Sequence, residues 1–149
     1  SRCGWGRSRR NVADLQLAID GLCDVHQLVA VQTADGRPIV GPVDGIFFRG
    51  SFHFGSAPDS VRFRHIKRGS HVSATHLPGE ELTVTVHGRA VLVDMRSEEN
   101  AEVRQTFLDV YVPRYGPEWE RFLDSGPLFA RIEADKMFTF HMEPADQAG

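Results

Sequence analysis

Leu82-Thr83-Val84-Thr85-Val86-His87-Gly88-Arg89-Ala90-Val91-Leu92-Val93 carries the reading of the fold. Leu82, Val84 and Val86 alternate with Thr83, Thr85 and His87, the period of two that places one row of side chains inside and the next outside. The pattern resumes in Ala90-Val91-Leu92-Val93. Gly88, inside so long a strand, predicts a bulge or bend where a barrel turns a corner. Upstream, His71-Val72-Ser73-Ala74-Thr75-His76 reads as a second strand, closed by the Leu77-Pro78-Gly79 turn.

Further upstream, Phe52-His53-Phe54-Gly55 reads as a strand entered through the Arg49-Gly50-Ser51 turn. Before it, Pro38 begins a strand through Ile39-Val40, Pro42-Val43 and Ile46-Phe47-Phe48. Gly41, Pro42 and Gly45 are expected to interrupt its pairing and leave an irregular or edge stretch open to a ligand. Asp35-Gly36 supplies a hairpin turn that tolerates positive φ, and Leu28 to Thr33 is the strand it follows. Val12, Leu15, Ile19 and Leu22 fall at helical spacing, predicting one amphipathic helix over Val12 to Leu22.

Downstream, Ser97 is expected to cap a helix from Glu98 to Val110. Pro113, within Tyr111 to Tyr115, predicts a helix boundary. Glu118 to Leu123 forms another turn or two, its Trp119, Phe122 and Leu123 at core spacing, and Phe129 to His141 is the last strand. Six or so closely spaced antiparallel strands leave no room for βαβ crossovers. They indicate a mainly β barrel with a few short helices.

At 149 residues the chain is one domain by length, enough to bury about two-thirds of its extended surface. Residues 1–10 read as a mobile basic arm or cloning remnant, and residues 11–149 as the single domain. A composition of 41% hydrophobic and 25% charged residues is that of a globular protein. The net charge of −3 provides no global field for nucleic acid or membranes, so neither is expected as a partner. No apolar run is long enough to span a bilayer. Cys3 and Cys23 lack CxxC spacing and suit a reducing compartment, so a soluble cytoplasmic protein is expected. The seven histidines show no HxxxH or HExxH pattern, and no metal ligands are assigned. GxSxG, Walker-type and GxGxxG patterns are missing as well.

The chemically informative stretch is Gly55-Ser56-Ala57-Pro58-Asp59-Ser60-Val61-Arg62-Phe63-Arg64-His65-Ile66-Lys67-Arg68. A strand ends in small residues, Ser60 stands at a helix N-cap, and a short helix runs from about Ser60 to Arg68. Arg62 lies in the first turn, where the helix dipole favours an acid. A bound anion reverses that preference, because free N–H groups, a hydroxyl and a guanidinium then converge on it. Five of the seven residues from Arg62 to Arg68 are Arg, Lys or His in a slightly acidic chain. The alternative is a solvated basic helix face.

The order Asp-Gly-Arg-Pro, open strand, Phe-Gly-Ser, Ser60-Val61-Arg62, His-Val-Ser-Ala-Thr and Val-His-Gly-Arg-Ala resembles the pyridoxamine 5'-phosphate oxidase-like superfamily. These are FMN-binding split β-barrels that include the deazaflavin (F420) reductases. The resemblance spans about Gln27 to Val93, with a further match in Arg131 to Phe138. It implies a split β-barrel binding FMN, or alternatively F420, and transferring hydride to or from a small organic substrate. The family's Ser-Arg-Lys phosphate motif falls on Ser60, Val61 and Arg62, and its strand-end contacts on Gly55 and Ser56. Gly41, Pro42 and Val43 correspond to the backbone along the flavin ring, and Thr83 to the partner-strand polar position. A homodimer with the cofactor between protomers is implied as well.

Val61 and Gly41 stand where the oxidases carry arginines. No counterpart of the oxidases' extended C-terminal segment follows His141, so the smaller reductases are the better match. The cofactor carries the chemistry, so no catalytic acid or base is assigned. A protein that sequesters flavin, F420 or haem without turnover is the rival expectation.

Overall fold

The computed structural model describes residues 27–33, 35–76 and 82–142. The expected helix over Val12 to Leu22, the arm at 1–10 and the Leu77-Pro78-Gly79 turn lie outside the described residues. Among the described residues there are seven strands: β1 (Gln27–Gln32), β2 (Pro38–Val43), β3 (Gly45–Phe48), β4 (Ser51–Ser56), β5 (His71–His76), β6 (Leu82–Val93) and β7 (Leu128–His141). Three helices join them among the described residues: α1 (Val61–Lys67), α2 (Ala101–Tyr115) and α3 (Glu118–Asp124).

Every strand pair is antiparallel, in the order β2-β1-β5-β6-β7-β4-β3. The two outermost strands are consecutive in sequence, separated by Asp44 alone, so the sheet curls until its ends meet. At that seam the Gly55 N–H donates to the Asp44 carbonyl at 3.3 Å. The result is the mainly β split barrel expected. The Asp35-Gly36 turn is present, with Gly36 at φ 83°. The bulge falls at Gly88, where the β6–β7 register shifts between His87 and Gly88. A Cβ there would stand 1.9 Å from the Glu133 carbonyl oxygen, so only glycine lets the two backbones approach.

Burial follows the predicted period. Val84 and Val86 join Phe52, Phe54, Val72, Ala74 and Ile132 in the barrel interior, while Thr83, Thr85 and His87 face outward. Phe63 and Ile66 of α1, at i and i+3, plug that interior, with the Phe54 and Phe63 ring centroids 5.9 Å apart. A second core lies between the sheet and the α2–α3 pair. There Phe107, Tyr111 and Trp119 form a stack, Tyr111 lying 4.8 Å from Trp119 at 15°.

Three local expectations are corrected. Gly41 and Pro42 do not interrupt pairing: β2 keeps an unbroken ladder to β1 from Pro38 to Val43. Pro42 is tolerated because β2 has no partner along its other side, where a missing N–H costs nothing. Ser97 makes no side-chain cap bond, and Glu98–Asn100 is a 3₁₀ turn ahead of α2. Pro113 does not end α2, which continues to Tyr115. It sits in the last turn, where the Tyr111 and Tyr115 rings stack at 6.0 Å and the Gly116 N–H closes onto the Val112 carbonyl at 2.8 Å.

Candidate anion site at the barrel rim

Ser60 is the N-cap of α1, its Oγ accepting from the Phe63 N–H at 3.3 Å. With Phe63 and Ile66 anchored in the barrel, the remaining faces of α1 carry its cations. Arg64, His65 and Lys67 lie in the last turn, where the helix dipole itself favours them. Arg62 has no such explanation. It sits in a first turn that contains no acid.

The Arg62 side chain reaches across to β2. An ideal Cβ on Gly41 would lie 2.7 Å from its Nη2 and 4.0 Å from its Cζ. In the backbone register Val29 pairs with both Gly41 and Ala74, and Ala74 pairs with the buried Val86, so Gly41 stands in the row that points into the barrel. The guanidinium therefore covers the interior side of the β2 rim. It is half-buried, and that desolvation lowers its pKa from the ordinary arginine value. No described residue gives Arg62 a salt bridge, whereas Arg37, Arg49, Arg104, Arg121 and Arg131 each face a carboxylate. Its five N–H donors are left for an anion. Next along the same helix, the His65 Nδ1 is buried without a hydrogen-bond partner among the described residues.

The remaining residues singled out from sequence divide by face. Ser56 ends β4 opposite Leu128, half-buried. Gly55 lies one residue before it with the Phe129 ring 2.6 Å from where its Cβ would be, so packing alone demands glycine there. Val61 is 43% exposed and offers no cation. Val43 is buried, while Pro42 shares the outward row with Thr75 and Thr85. Thr83 lies on that outward face of β6, three strand spacings from β2, or about 14 Å. Within one chain, then, Gly41 and Arg62 are in contact, and Thr83 stands on the opposite sheet face from Gly41.

Sequence reasoning missed Tyr111, whose buried hydroxyl accepts from the Gly45 N–H at 2.6 Å and donates to the Gly45 carbonyl at 2.7 Å. It pins the corner at which β2 passes into β3. Burial, with the Asp44 carboxylate adding to it, pushes this phenol above its ordinary range and keeps the proton on. A tyrosine near a proline gave no signal of this role. Among the described residues no group of three or more His, Cys, Asp or Glu is placed to hold a metal ion. No helix there is long and apolar enough to cross a membrane.

No protein-family model matches the chain, and no curated protein matches it in sequence. Solved structures do share its fold. The haem storage protein HutZ from Vibrio cholerae is similar at TM-score 0.66 and 17% identity, covering 85% of this chain and 94% of its own. An FAD-binding protein from Mesorhizobium loti matches at TM-score 0.61 and 18% identity, with 85% and 94% covered. A structure described as a putative pyridoxamine 5'-phosphate oxidase from Lactobacillus delbrueckii matches at TM-score 0.57 and 16% identity, with 89% and 99% covered. At such identities the likeness shows the fold alone: the chain is a split β-barrel of the kind these structures share.

Proposed function

We propose that the protein binds a flavin-type cofactor, FMN or F420, through its phosphate and serves as an oxidoreductase of small organic molecules. One observation carries this reading: Arg62 presents a half-buried guanidinium, without an acid partner among the described residues, at the barrel rim. A desolvated cation left without a counter-charge is costly, and an anion removes that cost. Ser60 and Ser56 flank the same strand-to-helix passage, and Gly41 of β2 lies against the Arg62 guanidinium. Other proteins of this fold, described as an FAD-binding protein and an oxidase, support the choice of a flavin.

When bound, the ring system supplies the hydride chemistry. The chain's residues would bind and orient it: Arg62 would neutralise the phosphate, Ser60 and Ser56 would offer hydroxyls to it, and the backbone of Gly41, Pro42 and Val43 would contact the ring. Thr83 lies on the outward face of the sheet, away from the inward row of Gly41, so we assign it to a cofactor shared across a homodimer interface. We assign it to the cytoplasm because Cys3 and Cys23 lack CxxC spacing and suit a reducing compartment.

Titration with FMN, F420 and haemin, followed by fluorescence and absorbance, tests the reading. FMN or F420 is expected to bind, and failure of all three below about 100 µM would discard it. Arg62→Ala is expected to weaken the phosphate-bearing cofactor by about 1–3 kcal/mol, the range for a charge-assisted hydrogen bond. Sedimentation with and without cofactor checks the dimer. Turnover with NADPH or reduced F420 separates an enzyme from a sequestering protein, the reading that likeness to a haem storage protein favours. Tight binding of haemin alone would select that second reading.

A further inference from the structure

We infer that Gly41 is a positioning residue: the missing side chain on β2 is what admits the Arg62 guanidinium to the rim. The inference rests on the anion-site reading above and assigns Gly41 a role beyond lending its backbone. Glycine in a strand interior is less favourable than alanine, so its presence wants a reason. Gly36, Gly50, Gly69, Gly116 and Gly126 have one in positive φ, which Gly41 lacks. Gly55 and Gly88, which also lack it, make room for the Phe129 ring and the Glu133 backbone. At Gly41 the space is taken by a charged group, Arg62 Nη2, 2.7 Å from the place of a Cβ. The neighbouring members of its inward row, Ala74 and Val86, fill their own space with methyl groups.

The clash has a particular character. A methyl group on residue 41 meets the far end of a long, flexible side chain rather than backbone, so the guanidinium moves and the barrel stays folded. Gly41→Ala is therefore expected to displace the cation without unfolding the protein. Lysine at position 62 has no Nη2, so its ammonium is indifferent to that methyl group.

The test uses the full chain with FMN and inorganic phosphate as probes, in wild type, Gly41→Ala, Arg62→Ala, Arg62→Lys and the two double variants. Gly41→Ala is expected to weaken FMN about tenfold without lowering Tm, and to have no further effect on FMN binding in the Arg62→Ala or Arg62→Lys background. A ligand-free readout accompanies it. The Nε–H resonance of Arg62, assigned by its loss in Arg62→Ala, is expected to shift in Gly41→Ala. If that resonance stays in place, or if Gly41→Ala weakens FMN equally in the Arg62→Ala background, the inference is overturned. If the resonance shifts but Arg62→Ala leaves FMN and phosphate binding unchanged, positioning holds and the anion-site reading fails instead.

Discussion

His53 is buried on both sides of its strand, at 6% exposure, with its Nδ1 3.1 Å from the Ser51 carbonyl and the Phe48 ring edge-on at 6.0 Å. Desolvation lowers its pKa from 6.5 to about 4, and the Arg131 charge adds to that against the opposing Ser51 bond. The folded chain thus refuses, down to about pH 4, a proton that the unfolded chain accepts below 6.5. The unfolded state binds more protons across that window, so stability falls as pH falls through it. The loss attributable to His53 is on the order of 3 kcal/mol. Urea unfolding at several pH values is expected to show it, and His53→Phe is expected to flatten that part of the profile. An identical pH slope in the variant would remove His53 from the account. None of this is visible in the sequence, where Phe52-His53-Phe54-Gly55 reads as a strand with one polar side. Only the second core, packed over the outer face of β4, shows why both faces are dry.

The α2–α3 pair shows what element-level patterns reveal and what they conceal. Trp119 and Leu123 are core residues as their spacing predicts, whereas Phe122 remains 38% exposed. Pro113 suggested a helix end because local rules count the lost N–H bond, whereas tertiary stacking of Tyr111, Tyr115 and Trp119 holds the last turn regardless. That same stack delivers the Tyr111 hydroxyl to Gly45, a contact 66 residues apart in sequence that no local pattern encodes. Tyr111→Phe keeps the ring and removes both hydrogen bonds, leaving two buried backbone groups at the β2–β3 corner unsatisfied. Urea denaturation is expected to report a loss of about 2 kcal/mol. A loss below about 0.5 kcal/mol would mean that water replaces the hydroxyl there.

At the scale of the whole molecule, the antiparallel strands and the barrel they form were legible because alternating hydrophobicity and turn residues recur at short intervals. The order of the strands in the sheet was not, nor was the seam at Asp44, since both are relations between segments far apart in sequence. The site was legible in part for a similar reason. Ser60 and Arg62 stand out locally, but the meeting of Arg62 with Gly41 requires the helix to be laid across the barrel mouth. The Tyr111–Gly45 bridge gives the molecule a further property. Trp119, the tryptophan among the described residues, stacks on the ring whose hydroxyl holds the corner from which the rim strand departs. The protein therefore carries its own optical gauge. Occupancy of the rim is expected to alter Trp119 emission even with a ligand that does not absorb in the near ultraviolet, such as inorganic phosphate, and Tyr111→Phe is expected to silence that response. Emission that ignores phosphate while phosphate demonstrably binds would show the corner and the rim to be mechanically independent.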